Sequence, residues 1–194
     1  MAETVAIGVW DGVEELDFAG PYEVLAAWAR FSERDIDVVI VAEAADSVRC
    51  AHGLRVVPDT TWDELDEAAV VVMPGGGVNE RLVSGPLVGH LQRLAADGTL
   101  MTSVCTGAFL YAAAGFLDGK PATTHWGSVE RLAEQFDAVE VRPDARFVDA
   151  GDVVTAAGVS AGIDMALHLV ERLDSTEMAR QVRRYIQYDP EPPV

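Results

Sequence analysis

The feature that most constrains the fold is a regular alternation of two kinds of segment along the chain. Short apolar runs rich in valine lie at residues 4–10, 36–43, 68–77 and 99–104, and longer stretches with helical spacing separate them. Strands that alternate with helices form parallel sheets covered by helices on both faces. The pattern therefore predicts an α/β fold with a mostly parallel, flavodoxin-like sheet sandwiched by helices.

The remaining segments extend this pattern without interrupting it. A first helix is predicted from about Pro21 to Arg34, with the proline in the first turn, where its missing N–H is tolerated. Residues 46–58 predict a hairpin or an edge excursion, and residues 189–194 form a proline-rich tail. Since no repeat, linker or low-complexity block is visible, we expect a single domain over residues 1–194. Further helices are predicted at residues 79–97, 105–115, 126–136, 160–173 and 175–187, and further strands at 138–141, 145–150 and 152–157.

Charge and composition narrow the possible partners. The net charge of −18 repels phosphate backbones and anionic lipids, which argues against nucleic acid and membrane surfaces as partners. No apolar run approaches the roughly 20 residues of a membrane span, and the start of the chain does not resemble a signal peptide. The two cysteines lie far apart in no metal or redox motif. These features predict a cytoplasmic protein with free thiols.

The strongest local signal for chemistry is the segment SVCTGAFLYAAAG around Cys105. A strand runs into a small polar pair and a glycine, and a helix begins at once, which predicts a strained turn of the nucleophile-elbow type. The helix N-terminus is expected to stabilise a thiolate and to lower its pKa. A buried structural cysteine is the competing interpretation, because free cysteine is among the most buried residue types.

Two further segments end strands at the same predicted edge of the sheet. The glycines of PGGG, including Gly75 and Gly76, let the backbone approach a ligand and direct N–H groups at it, although a plain tight turn explains them equally well. Asp17 follows the first strand and is expected just before the first helix, within reach of the elbow. Its alternatives are a helix cap or a solvated acid. Three neighbouring acids compete with it on chemistry alone: Glu14, Glu15 and Glu23.

The four histidines give no pattern for a metal site. None forms a helical pair spaced for zinc, and no Cys–His cluster has metal-ligand spacing, so no metal is expected. His125 precedes a predicted helix, and either a general-base role or a structural hydrogen bond fits it. His168 lies in an apolar helix and is interpreted as a core residue.

Taken together, three motifs resemble a known family. The strand-ending PGGG, the elbow VCTGAFLYAAAGFLDGKPATTHW and the segment AAGVSAGIDMALHLVERL are similar to the PfpI-like branch of the class I glutamine amidotransferase-like superfamily, in the same order along the chain. Within that branch, LDFAGPYEVL and IQYDPEPPV resemble the isonitrile hydratases. Members with peptidase activity carry histidine after the cysteine, where this chain has Thr106. Redox-sensing and glyoxalase-like members use a glutamate where this chain offers Asp17.

The resemblance implies roles for particular residues. Cys105 is implied as the nucleophile and Asp17 as its acidic partner, with the Thr106 hydroxyl holding that partner or the substrate. The amides of Gly75 and Gly76 are implied to line the pocket. The implied reaction is the hydration of a small apolar isonitrile to an N-substituted formamide through a thioimidate, by a homodimer without cofactor.

Other expectations accompany this assignment. We expect Phe18, Phe109 and Trp126 to border an apolar pocket. Regulators that share the elbow attach a DNA-binding domain after it, and because this chain ends at Val194 we expect none here. Two alternative functions stay open, namely a glyoxalase-type α-oxoaldehyde hydratase and a non-catalytic sensor in which Cys105 is oxidised to sulfinic acid.

Overall fold

A seven-stranded, mostly parallel sheet forms the centre of the computed structural model, which describes residues 3–78 and 80–189. Six of its strands run parallel, and the edge strand at the end of the sheet pairs antiparallel with its neighbour. The predicted fold class is therefore confirmed. In chain order the strands are β1 (Glu3–Gly8), β2 (Ile36–Ala42), β3 (Val48–Arg49), β4 (Arg55–Val56), β5 (Thr60–Thr61), β6 (Val70–Met73), β7 (Leu100–Val104), β8 (Pro121–Ala122), β9 (Glu140–Val141), β10 (Phe147–Asp149) and β11 (Val153–Ala156).

The order of strands across the sheet determines what meets at its carboxyl edge. It runs β10-β11-β7-β6-β1-β2-β5, so the ends of β11, β7, β6 and β1 are neighbours. The pairs β3-β4 and β8-β9 form two small separate sheets, and the first of them is the hairpin predicted within residues 46–58. The helices are α1 (Glu15–Phe31), α2 (Glu80–Ser84), α3 (Pro86–Ala96), α4 (Ala108–Ala113), α5 (Val129–Gln135), α6 (Ala161–Leu173) and α7 (Thr176–Tyr185).

The sheet separates two apolar cores. Successive residues of a strand point to opposite faces, so Val70 and Val72 of β6 join one core and Val71 and Met73 join the other. On the first face α1, α6 and α7 pack against one another and bury Trp28, while α3, α4 and α5 cover the second face. No helix in the described part of the chain combines the length and apolar composition that crossing a membrane requires.

Helix α1 departs from the sequence prediction in a way that matters for the site. It begins at Glu15 rather than Pro21, so Asp17 lies in the first helical turn and Pro21 lies inside the helix. An internal proline removes one helical hydrogen bond. Here its ring packs against α6, where a Cβ on Gly162 would lie 3.1 Å from Pro21 Cγ. Burial of this helix face against α6 outweighs the lost bond, and the prediction from proline position alone was wrong.

The long helix predicted over residues 79–97 is also divided. Residue 79 lies outside the described residues, and α2 and α3 are separated at Gly85, with Pro86 opening α3. The Gly-Pro pair supplies a chain break that the leucine spacing did not reveal. Of the proline-rich tail, residues 190–194 lie outside the described residues.

Candidate active site

Cys105 lies at the carboxyl end of β7, where the strand passes into a 3-10 turn over Cys105–Gly107 and then into α4. Its φ of +57° is in the left-handed region, which is unfavourable for a residue with a Cβ. The backbone on both sides is bonded: its N–H donates to the carbonyl of Ala157 at 3.0 Å, and its carbonyl accepts from Thr124 Oγ1 at 2.7 Å. The predicted strained elbow is therefore present.

The elbow fits against the end of β6 only because Gly107 has no side chain. A Cβ at this position would lie 2.1 Å from the carbonyl oxygen of Met73. The close contact brings the end of β7 directly beside the Pro74-Gly75-Gly76 turn. The elbow and the PGGG turn, which lie apart in the sequence, thus meet at the same edge of the sheet.

Asp17 reaches the elbow from the first turn of α1. Its side chain is fully buried, and Oδ2 accepts a hydrogen bond from the amide of Gly75 at 2.9 Å. Oδ1 is also buried, and no N–H or O–H within residues 3–78 and 80–189 reaches it with full hydrogen-bond geometry. The Cys105 thiol and the Val159 N–H also approach the carboxyl group closely enough to perturb it. One oxygen of this acid is thus held by the backbone, and the other remains available for a shared proton.

Thr106 and the glycine turn support this arrangement indirectly. The Thr106 hydroxyl accepts from the Gly76 amide at 3.0 Å and donates to the Gly76 carbonyl at 3.2 Å. A Cβ on Gly75 would lie 2.6 Å from Thr106 Oγ1 and 2.9 Å from Asp17 Oδ2. The amides expected to face a ligand instead bind Asp17 and Thr106. Their role in substrate binding stays a prediction, while their role in holding the acid is visible.

Burial dominates the proton affinities of the two central groups. Loss of solvent raises the pKa of Asp17 to about 6, with the charge of Glu14 adding to the effect and the Gly75 amide and Cys105 thiol opposing it. Burial, followed by the neighbouring Asp17 charge, raises the pKa of Cys105 to about 12, against the Thr106 N–H. The expectation that the helix N-terminus lowers the cysteine pKa was wrong, because desolvation and a like charge outweigh a few N–H groups.

The competing acids occupy different surroundings from Asp17. Glu15 points outward and binds His52, with Oε2 lying 2.9 Å from Nδ1, and Glu14 Oε1 lies 3.6 Å from the same nitrogen. The His52 side chain is 75% exposed. Glu23 is exposed on α1. Among the four acids, Asp17 is therefore the one that lies buried against the elbow.

The two histidines of interest have structural contacts. His125 precedes the 3-10 turn over Trp126–Ser128, and its Nδ1 accepts from the Gly127 amide at 3.2 Å, which agrees with the predicted structural hydrogen bond. His168 was wrongly placed in the core. It is partly exposed, stacks on Phe147, and its Nε2 lies 2.7 Å from Asp149 Oδ2.

The three aromatic residues expected around a pocket do not share one location. Phe18 is buried in the same core as Cys105, whereas Phe109 joins the opposite core against Phe136 and beneath Arg131. Trp126 is 81% exposed. Phe109 lies on the opposite face of the sheet from Cys105, so the expected grouping was wrong for Phe109.

Two contacts of the site were missed from the sequence. Val159 also has a left-handed φ of +52° and directs its N–H at Asp17, and Thr124 binds the Cys105 carbonyl. Valine gives no sequence signal for such a conformation. Thr124 lies in the segment ATTHW, where only the histidine suggests chemistry by residue type.

Comparison with known proteins agrees with this architecture. The DJ-1/PfpI family model matches residues 3–172. The chain is 35% identical over 194 residues to an isonitrile hydratase of Pseudomonas putida, covering 100% of this chain and 82% of that protein. A crystal structure of a ThiJ/PfpI family protein from Pseudomonas syringae superposes with a TM-score of 0.87 at 30% identity, covering 100% of this chain and 78% of the other.

A relative of a different kind matches part of the same region. The HTH-type transcriptional regulator GbdR of Pseudomonas aeruginosa is 30% identical over 142 residues, which is 73% of this chain and 38% of the regulator. The same domain therefore occurs both as most of a protein and as part of a longer one. With the family model spanning most of the chain and the expected motifs assembled at one edge of the sheet, the chain belongs to the DJ-1/PfpI family.

Proposed function

We propose that this protein is an isonitrile hydratase, in which Cys105 is the nucleophile and Asp17 moves the protons. The observation that carries the proposal is a fully buried carboxyl group beside a thiol on a strained elbow. The full-length similarity to the isonitrile hydratase of Pseudomonas putida supports the choice of substrate class. A soft sulfur nucleophile suits the terminal carbon of an isonitrile.

The raised pKa values determine how the nucleophile forms. With Asp17 at about 6 and Cys105 at about 12, neutral pH leaves a carboxylate beside a thiol. The Asp17 carboxylate takes the thiol proton as sulfur attacks the isonitrile carbon, and the resulting carboxylic acid delivers that proton to the same carbon. The product is a thioimidate, R–N=CH–S–Cys105. No proton is exchanged with solvent in this step.

Hydrolysis of the thioimidate uses the same carboxylate. Asp17 removes a proton from water as the hydroxide adds to the carbon, and it passes that proton to nitrogen. Collapse of the tetrahedral adduct breaks the carbon–sulfur bond, and the hydroxyl proton returns to sulfur. The formamide R–NH–CHO leaves, and the thiol is restored. Gly75 keeps Asp17 aimed throughout by binding Oδ2, which leaves Oδ1 for proton transfer.

A formamide-formation assay tests this proposal. The wild-type protein is expected to convert members of a panel of small isonitriles, and Cys105→Ala is expected to lose turnover by at least about 10³-fold, because the thioimidate forms on the Cys105 sulfur. Cys50→Ala is the matched control, since Cys50 is an equally buried thiol with no part in the scheme, and it should keep its activity.

The alternatives give different results in the same experiment. Methylglyoxal turnover without isonitrile turnover would indicate the α-oxoaldehyde hydratase. Clean oxidation of Cys105 by mild peroxide without turnover of either substrate would indicate a sensor. Wild-type isonitrile turnover by Cys105→Ala would contradict the covalent scheme.

The remaining expectations are proposals of the same standing. We infer a cytoplasmic homodimer that does not bind nucleic acid. Partly exposed apolar side chains beside Glu15 support a protein contact there, namely Leu16 at 39% and Leu54 at 51% exposure. Light scattering of the purified protein should give twice the 20.8 kDa chain mass. A monomeric mass at micromolar concentration would contradict the dimer.

A further inference from the structure

Thr124 occupies an unusual position behind the elbow. It belongs to the loop after β8, its side chain is fully buried, and its hydroxyl donates to the Cys105 carbonyl at 2.7 Å. The same carbonyl accepts the N–H of Ala108 at the start of α4. A side chain from a distant loop is thus bonded to the backbone of the residue whose sulfur carries the proposed chemistry.

The elbow needs such support because its conformation is unfavourable by itself. A non-glycine residue with φ near +57° persists only when its surroundings hold it there. At Cys105 the peptide on the amino side is bonded to Ala157, the residue after β11, and the peptide on the carboxyl side is bonded to Thr124. The orientation of these two peptide planes fixes the direction of the Cα–Cβ bond, and therefore the position of the sulfur.

The loop that carries Thr124 is itself held on both sides of this residue. The Thr123 amide donates to Thr155 Oγ1 of β11 at 2.9 Å. The Cδ2 edge of the His125 ring lies against Gly158, where a Cβ would be 2.2 Å from Cδ2. Thr124 therefore donates from a fixed point, and it cannot follow the elbow if the elbow moves.

We propose that Thr124 is a positioning residue, whose hydroxyl holds Cys105 in the left-handed conformation that directs its sulfur at Asp17. His125 contributes to the same positioning, because it anchors the loop that carries Thr124 against Gly158. The effect on turnover rests on the proposed hydratase function, whereas the effect on the sulfur's surroundings does not.

Three variants test the inference. Thr124→Val replaces the hydroxyl with a methyl group of similar size, and Thr124→Ser restores a donor. Thr123→Val is the matched control, because Thr123 is an equally buried neighbour whose amide binds Thr155 and whose hydroxyl donates to the Ala145 carbonyl at 3.4 Å rather than to Cys105. We measure isonitrile turnover, the pH dependence of Cys105 alkylation by iodoacetamide followed by mass spectrometry of the Cys105 peptide, and thermal unfolding.

In Thr124→Val we expect kcat to fall between about 10-fold and 100-fold with KM within about 3-fold, because a misaligned nucleophile loses rate rather than substrate affinity. The alkylation profile should move to lower pH, since a sulfur turned away from Asp17 approaches an ordinary thiol. Thr124→Ser should recover most of both, and Thr123→Val should resemble wild type.

Two results would overturn the inference. One is an unchanged alkylation profile in Thr124→Val, whatever happens to its rate or stability. The other is an equal change in Thr123→Val, which would indicate a general loss of packing. If the wild-type protein fails to hydrate isonitriles, the alkylation profile still tests Thr124, so failure of the proposed function and failure of this inference are distinguishable.

Discussion

Two aspartates of this protein are held in opposite ways. Asp17 is fully buried, is bound by a backbone amide, and has a thiol and another acid as its neighbours. Asp149, at the end of β10, lies within 2.7 Å of His168 Nε2 and 3.0 Å of an Arg172 nitrogen. Burial raises the pKa of Asp17 to about 6, whereas contacts with His168, the Gly151 amide and Arg172 lower the pKa of Asp149 despite partial burial.

The difference separates a group that moves protons from one that ties the structure together. A carboxylate paired with cations is held in its charged form and gains nothing from picking up a proton near neutrality. A buried carboxyl with no cation beside it titrates close to the working pH, which is where a general acid and base is most effective. Perturbed pKa values point to function only when their cause is known, because structural ion pairs perturb them too.

The largest effect expected from this contrast is on catalysis. Asp17→Asn should lower kcat for isonitrile hydration by about 10³-fold, because one side chain performs the proton transfers to carbon and to nitrogen in the scheme. KM should change little. Glu15→Gln is the control from the same helical turn, and its activity should stay within about 2-fold of wild type. Steady-state kinetics on both variants decides the matter, and a robustly active Asp17→Asn protein would move the acid role elsewhere.

The next effect concerns stability and pH. A folded-state pKa of about 6 against 3.8 for the ordinary group means that protonated Asp17 favours folding. That contribution is complete below pH 3.8 and is lost as pH rises through about 6. The difference amounts to about 3 kcal/mol. Asparagine does not titrate, so Asp17→Asn does not lose this stability as pH rises. Its unfolding free energy minus that of the wild type, measured in urea titrations, should therefore rise by about 3 kcal/mol between pH 3.5 and pH 7. Parallel curves for the two proteins would contradict the raised pKa.

The smallest effect belongs to Asp149. Asp149→Asn should lower the unfolding free energy at pH 7 by about 1 kcal/mol, because the partly buried pairs with His168 and Arg172 are lost. Since the pKa of Asp149 is lowered in the folded protein, this loss should shrink as pH falls, the opposite trend to Asp17. Turnover should remain within about 2-fold of wild type. A variant that is stable but inactive would show that the two aspartates are not as distinct as their contacts indicate.

Much of the fold follows from the alternation of apolar runs and helical segments in the sequence, and the exceptions have physical causes. Runs of valine and isoleucine marked the long strands, because strands buried on both faces must be apolar throughout. Strands of two residues, such as β5 and β8, carry too few side chains to leave a pattern. The start of α1 was misplaced because Pro21 is tolerated inside a helix that packs tightly on α6.

The candidate site likewise has a part that the sequence predicts and a part that it does not. Cys105, Asp17 and the glycine turn could be brought to one edge from sequence, because parallel strands present their carboxyl ends together. The hydrogen bonds between them could not be predicted. That the amides of Gly75 and Gly76 bind Asp17 and Thr106 depends on side-chain directions, as does the partnership of Thr124 with Cys105. The predicted direction of the Cys105 pKa shift was wrong for a related reason, since the burial that raises this pKa depends on the whole fold.

The left-handed backbone at Cys105 has a consequence for how this chain can change. Glycine adopts that conformation without strain, whereas a residue with a Cβ adopts it with a higher conformational energy. Alanine in place of the cysteine inherits the strain and loses the sulfur, whereas glycine loses the sulfur and gains relief. A lineage released from the need for this thiol should therefore drift toward glycine at position 105. Cys105 is therefore a position where the backbone keeps an unfavourable conformation for a reason other than the stability of the fold.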